Sequence, residues 1–452
     1  MFQRNYQSKL KNEFDLLIIG GGINGTGIAR DASERGLKVL LLEKDDFAYG
    51  CTSASTRLIH GGLRYLEHFE FDLVRESLKE REVLLNLANH LVKPIKICIP
   101  VYKGDKRPYW EIKAGMVLYD LLSYDKSLPA HQIMNKHDFV RYEGAVNDVD
   151  LLGAAVYSDA QVDFPERICI ENMLMAKNAG AVVLNHAEVK SIKIDKRNIS
   201  SIDFLDKLSN STCSVKAKVI VNASGPWVDN LCSLTKLSLK KNIGGTKGSH
   251  IIVKKYPQGP KHAIYASSKA DMRPFFIIPW QEYYLIGTTD IPFNGNLDKV
   301  QITNDEINYL LNESNRILKN KTLNHSDILF SYSGVRPLPF SSAGDQEPSK
   351  ITRKHIILDH GNQGISNFIS IIGGKLTTYR NLSEQVVNLV IKKLNYNFVQ
   401  TKTKSLKFIG AYTGDYKTYT NSEVKKIKNK YDLEPDIIQH WYKSYNRRYK
   451  HR

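Results

Sequence analysis

A parallel α/β nucleotide-binding domain joined to an antiparallel-sheet domain, with a short helical tail, is the architecture that this 452-residue sequence predicts. Three observations carry that expectation. A complete β-α-β unit spans 14–44, FDLLIIGGGINGTGIARDASERGLKVLLLEK. Short strands separated by turn residues, HIIVKK, PFFIIPW and YYLIGTTD, fill much of 240–291. The strand, glycine pair and helix form returns at ISIIGGKLTTYRNLSEQVVNLV, from Ile369 onward.

In the first unit the apolar run Leu16 to Ile19 feeds Gly20-x-Gly22-x-x-Gly25, and a second run, Val39 to Leu42, ends at Glu43. The glycines permit a tight turn and let backbone N–H groups at a helix N-terminus approach a pyrophosphate. Glu43 is spaced to accept hydrogen bonds from an adenosine ribose. Thr52 to Phe71 is dense in small and polar residues, and an amphipathic surface helix is expected from Asp72 to about Asn89, where Leu73, Leu78, Val83, Leu84 and Leu87 recur at helical spacing. Residues 94–129 are mixed and aromatic. The stretch from Ala154 to about Gly180 reads as helical, followed by strands at 181–184 and 218–222, the second running into Ala223-Ser224-Gly225-Pro226-Trp227. A helix-like run covers 305–319. Beyond Lys402 the chain is strongly basic with helical hints, Ser422 as an N-cap and Pro435 in a first turn. There is no internal repeat.

Composition is that of a globular protein, 42% hydrophobic and 25% charged. No apolar run approaches bilayer length, and MFQRNYQSKLKN has no apolar core of a signal peptide, so the protein is expected to stay where it is made, in the cytoplasm. Five cysteines (Cys51, Cys98, Cys169, Cys213, Cys232) never form a CxxC, which supports neither a disulfide framework nor a metal site. They read as free thiols of a reducing compartment. A net charge of +17 suits an anionic partner, whether nucleic acid, anionic lipid or a phosphorylated substrate, or else reflects a Lys-, Asn- and Ile-rich genome. No aromatic RNA-binding segment or zinc spacing accompanies it, so no nucleic acid is expected. Only one GxGxxG occurs, so if the dinucleotide is FAD its electrons come directly from a small substrate.

The GxGxxG unit, SASTRLIHGGLRYLEH, VNASGPWVD, KGSHIIV, LIGTTD, YSGVRPL and GGKLTTYR, in this order, closely resemble the FAD-dependent glycerol-3-phosphate dehydrogenases of the respiratory, quinone-reducing type. The resemblance runs from about Phe14 to about Tyr412. It implies a glutathione-reductase-like FAD domain of the amino-acid-oxidase type (14–75, 150–240 and 350–395), an antiparallel-sheet substrate domain (76–149 and 241–349), and a partial helical C-terminal cap (400–452). It further implies cofactor contacts from Gly20, Gly22, Ile23, Asn24, Gly25, Glu43, Thr52, Ser53, Ser55, Leu58, His60, Ser224, Gly225, Lys375, Leu376 and Thr377. The GGKLT turn would set helix N-terminal amides, with Lys375, against the N1 side of the flavin.

Residue chemistry agrees with the implied substrate, glycerol 3-phosphate. A phosphate dianion is best held by the planar fork of Arg, helped by Lys as a point charge. Arg64, Arg336, Arg353 and Lys375 sit in glycine-flanked motifs, and Pro337 biases Arg336 to an extended backbone. These positions, with Tyr65 as hydroxyl donor, are the implied substrate pocket; Arg336 and Lys375 are also read as catalytic. Oxidising a secondary alcohol requires a base for the hydroxyl proton, and His60 in LIHGG and His250 in KGSH are the two candidates, between which the sequence does not choose.

The family implies electron transfer to quinone and a peripheral position on the inner face of the cytoplasmic membrane. KGDKRPYWEIKAGMVLYDLL (103–122), basic and amphipathic with interfacial aromatics, reads either as that membrane contact or as a core element of the substrate domain. The insertion of the oxygen-using members has no room between Gly334 and Gly374, which favours quinone. Family members continue past Arg452, so the helical cap is expected to be half built, leaving dimerisation open. The rivals are an amine or amino-acid oxidase on the same fold and a truncated, non-catalytic flavin-binding copy.

Overall fold

A computed structural model of the chain describes Tyr6, residues 8–11, 13–236, 240–340 and 353–411, and scattered positions between 422 and 438. Phe14–Ile19 sits within a six-stranded sheet ordered Ile356–Asp359, Phe368–Ile372, Ala217–Asn222, Phe14–Ile19, Val39–Leu42, Val182–Leu184. All pairings are parallel except that of the Ile356–Asp359 edge. The strands Phe14–Ile19 and Val39–Leu42 are buried along their whole length because both faces of the sheet are covered. Leu16 and Ile18 pack with Ile28, Val386 and Val390 of the helices Ile23–Glu34 and Tyr379–Leu394. Leu17 and Ile19 face the other way, onto Ile192, Ile202 and Phe204 of a three-stranded antiparallel sheet, Ala187–Asp195, Asn198–Asp206 and Ser211–Val215.

The second large sheet has ten strands and is mostly antiparallel. It runs Ile291–Pro292, Thr246–Lys254, Tyr283–Gly287, Pro274–Trp280, Ala263–Ser267, Val92–Tyr102, Leu151–Val162, Leu58–Ile59, with Ile328–Arg336 paired to Thr246–Lys254 and Gln132–Asn135 to Leu151–Val162. Ala263–Ser267 and Val92–Tyr102 form its parallel pair. Residues 154–162, expected to be helical, belong to this sheet, and the helix is confined to Pro165–Asn178. The run, which includes Ser158, Asp159 and Gln161, is buried on both faces and so shows no period of its own. Pro165 in the first helical turn then marks where the helix can start. Strands Leu58–Ile59 and Leu151–Val162 thus lie in the ten-stranded sheet, although the expected boundaries place them with the nucleotide-binding residues.

The 103–122 segment contains the helix Tyr109–Leu122, which has one buried and one exposed face. Met116 and Tyr119 are buried in the core, whereas Trp110 (69% exposed) and Leu121 (67%) face solvent. Residues 396–411 form no helix but lie against the first domain: Arg30 Nη2 donates to the Leu406 carbonyl at 2.7 Å, and Phe408 is buried under the Arg30 guanidinium. Most of the expected cap, including Pro435, lies outside the described residues, while Ser422 is helical.

Candidate active site

The glycine-rich turn is fixed by sterics. Gly20 has φ +112°, and a Cβ there would lie 2.5 Å from the Ala223 carbonyl oxygen; a Cβ on Gly25 would lie 1.9 Å from that of Gly20. Gly25 therefore lets the helix pack onto the strand and does not line the cavity. Gly22 differs, since its Cβ would meet only the Thr52 hydroxyl, at 3.5 Å, and would point into open space. The helix Ile23–Glu34 begins there without a side-chain cap, so its positive dipole end faces a cavity of about 680 Å³. Thr52 accepts from the Ile23 N–H at 3.1 Å. Glu43 accepts from the N–H groups of Gly21 (2.6 Å) and Asp45 (2.8 Å); burial pushes its carboxyl up and these amides oppose the shift. Each carboxylate oxygen retains acceptor capacity for a ribose hydroxyl.

Gly20, Gly22, Ile23, Asn24, Glu43, Thr52, Ser55, Leu58, His60, Ser224, Gly225, Lys375, Leu376 and Thr377 all line this cavity, as do Tyr65, His250, Arg336 and Arg353. Two expected residues besides Gly25 do not. The Ser53 hydroxyl turns back to the Tyr49 carbonyl at 2.8 Å, and Arg64 lies off the wall, near enough for its charge to act on His60 and Asp290. The glycine pair behaves differently from expectation too. Gly373 and Gly374 both take positive φ (+73° and +98°), and the helix starts only at Tyr379, so its first amides follow an intervening turn.

One wall is cationic. Arg336, at the end of Ile328–Arg336, donates from Nη1 to Asp290 Oδ1 (3.0 Å) and from Nη2 to the Thr288 hydroxyl (2.9 Å). Gly248 makes room for it, since a Cβ there would lie 2.2 Å from Nη2. Arg353 Nη2 reaches the other oxygen of Asp290 at 3.3 Å. Burial pushes the Arg353 guanidinium down to about 10, and the neighbouring Arg336 adds to the shift. Burial also acts to raise the Asp290 carboxyl, but the two arginines prevail and hold it below the usual carboxylate range. Lys375 Nζ donates to the Ser77 hydroxyl (2.7 Å) and the Gly61 carbonyl (3.4 Å), and stands 4.6 Å from the Tyr65 ring centroid. Burial brings its ammonium down to about 7.

The two histidines stand in different surroundings. His250 Nε2 pairs with the Thr56 hydroxyl at 3.0 Å, its ring stacks on Tyr332, and its buried Nδ1 has no partner in the protein. His60 is held through its backbone: its N–H donates to the Thr377 hydroxyl at 3.1 Å. Burial, then the nearby cations, push both imidazoles down to about 3, so both are neutral. Asp290, which closes the LIGTTD motif but is not among the expected site residues, is the anchor of the cationic wall. Asn24 Oδ1, buried and without a protein partner, is a further acceptor on the cavity wall beside the glycine turn. The Gly22 cradle, this orphan acceptor and the Glu43 carboxylate together form a donor and acceptor set that fits FAD.

Residues 15–380 match the family model described as DAO, FAD dependent oxidoreductase. A glycerol-3-phosphate dehydrogenase of Synechocystis sp. is 46% identical over 455 residues, covering 98% of this chain and 81% of the relative. The aerobic glycerol-3-phosphate dehydrogenase of Staphylococcus aureus is 35% identical over 435 residues, covering 94% and 76%. Among solved structures, the glycerol-3-phosphate dehydrogenase of Bacillus halodurans complexed with FAD superposes with TM-score 0.81 at 27% identity, over 100% of this chain and 80% of that one. Glycine oxidase of Bacillus cereus shares the fold at TM-score 0.60 and 18% identity, over 89% of this chain and 100% of that one.

Proposed function

We propose that this chain, which belongs to the FAD-dependent oxidoreductase family and within it to the FAD-dependent glycerol-3-phosphate dehydrogenases, oxidises sn-glycerol 3-phosphate to dihydroxyacetone phosphate. The observation that carries this reading is the charge balance of the cavity wall. Arg336 and Arg353 share one carboxylate, Asp290, and Lys375 beside them holds its proton once an anion arrives, which brings three cations around that carboxylate. A phosphate dianion satisfies that surplus, whereas the single carboxylate of an amino acid leaves part of it unmatched.

In this reading Arg336 and Arg353 bind the phosphate, Lys375 and Tyr65 complete its shell, and Arg64 adds field from behind the wall. Gly20, Gly22, Ile23, Asn24 and Glu43 hold the pyrophosphate and adenosine ribose of FAD, with Thr52, Ser55, Leu58, Ser224, Gly225, Leu376 and Thr377 along its length. Bound FAD supplies the two-electron acceptor for the hydride that leaves the carbinol carbon. The hydroxyl proton goes to a neutral imidazole, His60 or His250, and the C–O bond becomes a carbonyl. The six-stranded sheet carries the glycine turn and Glu43 for the cofactor, and the substrate's cations come from both sheets: Arg336 from the ten-stranded one, Arg353 and Lys375 from segments flanking two strands of the six-stranded one.

The electrons then pass to a membrane quinone, with the chain peripheral to the inner face of the cytoplasmic membrane. In support, the outer face of Tyr109–Leu122 exposes Trp110, Val117 and Leu121 beside Lys103, Lys106 and Lys113. Among the described residues no helix is long and apolar enough to cross a membrane. Anaerobic addition of glycerol 3-phosphate to the FAD-loaded protein tests the donor. Bleaching of the flavin absorption with glycerol 3-phosphate, and none with glycerol or D-amino acids, is expected; a flavin that stays oxidised refutes the substrate.

A further inference from the structure

Beneath the His60-Gly61-Gly62 turn lies a buried polar cluster that neither cofactor nor phosphate binding uses. Asp159, fully buried on Leu151–Val162, accepts from Arg81 Nη1 at 2.7 Å and from the Tyr119 hydroxyl at 2.8 Å. The Gly61 N–H donates to the Tyr119 oxygen at 3.1 Å and to Asp159 Oδ1 at 3.4 Å. Arg81 comes from the helix Phe71–Leu87 and Tyr119 from the surface helix Tyr109–Leu122. Two helices and a strand thus converge on one amide.

That amide is central to the site. Gly61 follows His60, and its carbonyl accepts from Lys375 Nζ. The packing also sets how far the turn can sink: a Cβ on Gly61 would lie 2.3 Å from the Tyr119 hydroxyl and 2.5 Å from Leu78 Cδ2. A buried arginine–carboxylate pair adds little net stability over an apolar core of similar volume, because desolvating the ions offsets most of their attraction. Its merit here is geometric, since it holds the Tyr119 hydroxyl at one point.

We infer that Tyr119, anchored by Asp159 and Arg81, is a positioning residue for the reaction: its hydroxyl fixes the Gly61 amide and thereby sets where His60 and Lys375 stand in the cavity. The inference rests on the reading that this cavity oxidises glycerol 3-phosphate. Tyr119 itself does not line the cavity, so its influence passes through the turn.

Tyr119→Phe tests this in the FAD-loaded full chain, because the ring keeps its edge contact with Tyr157 and only the hydroxyl is lost. By amide hydrogen exchange, the peptide containing Gly61 is expected to exchange about tenfold faster, the loss of one buried hydrogen bond, while the glycine-rich peptide at 14–34 is unchanged. In anaerobic mixing with glycerol 3-phosphate, flavin bleaching at saturation slows about tenfold, and the half-saturating concentration moves less than threefold. Unchanged exchange and rate overturn the inference by reducing Tyr119 to packing. Loss of FAD, or faster exchange throughout the chain, overturns it by making the hydroxyl structural. Wild-type protein that fails to bleach sinks the substrate reading instead, and the exchange result still decides whether Tyr119 fixes the turn.

Discussion

Replacing Arg336 by alanine should weaken phosphate recognition and leave bound flavin in place. Arg336 Nη1 and Nη2 are held by Asp290, Thr288 and the Thr289 carbonyl, which lock the fork in one orientation and leave its other N–H bonds for an incoming anion. A hydrogen bond to a charged group contributes about 1.5–3 kcal/mol. The side chain is a quarter exposed, which screens it, yet its loss also frees Asp290 from one of its two cations and turns that carboxylate into a repulsive neighbour. Taking about 2–3 kcal/mol together, half-saturation by glycerol 3-phosphate should rise about 30- to 150-fold at one factor of ten per 1.4 kcal/mol. Arg336→Lys should fall between, keeping charge and losing the fork. The assay is anaerobic flavin bleaching against substrate concentration, with flavin content measured by absorbance after desalting. A shift below about threefold, or a colourless Arg336→Ala protein, would show that Arg336 holds something other than the phosphate.

Three further outcomes follow from the same geometry. Burial lowers Lys375 to about 7 from its ordinary value near 10.5, so the ligand-free folded protein binds fewer protons than the unfolded chain between those values; its stability should rise with pH across that window while affinity for the phosphate dianion falls, and Lys375→Met should flatten both slopes in thermal melts and substrate titrations. Gly22→Ala should fold normally yet bind FAD weakly, because its Cβ meets only Thr52 at 3.5 Å and points into the cavity, whereas Gly25→Ala, 1.9 Å from the Gly20 carbonyl oxygen, should lose soluble folded protein; equal behaviour of the two in circular dichroism and flavin titration contradicts the assignment. The double variant Trp110→Ser, Leu121→Ser removes two large exposed side chains and should lower co-sedimentation with anionic vesicles at least about tenfold, with unchanged binding counting against that face as the membrane contact.

What could be read in the sequence was what local sterics dictate. Gly20 and Gly25 are required by contacts within the β-α-β unit and its neighbouring strand, and Gly22 keeps the helix N-terminus open to a ligand, so their spacing alone announces the turn. Val92–Tyr102 escaped notice because Pro94 and Pro100 argue against a strand, although each lies in register opposite Leu151–Val162. That partner strand is not legible as a strand because, with both faces buried, its mixture of apolar and polar residues has no period. Asp290 lies in the LIGTTD motif, but its role was not legible there, as it comes from Arg336 and Arg353, 46 and 63 residues away.

The placement of these groups also explains why so little of the site is contiguous. The glycine turn, Glu43 and Ser224 sit at the C-terminal ends of parallel strands, where helix dipoles and free amides favour a pyrophosphate. The cations come instead from the other sheet and from the return into the first: Arg336 ends an antiparallel strand, Arg353 precedes Ile356–Asp359, and Lys375 follows Phe368–Ile372. A cofactor and an anionic substrate make opposite demands on backbone and side chains. The parallel sheet meets the first with amides, for which glycine is the usable residue, and the second is met by long side chains converging from three segments. A variant that loses cofactor should therefore arise from small substitutions near 20–25, and one that loses only substrate from truncations at 336, 353 or 375. Tyr119 joins neither class: its hydroxyl touches the Gly61 amide between the two and the buried Asp159 behind it, but neither ligand, and its removal should slow the reaction while sparing both ligands.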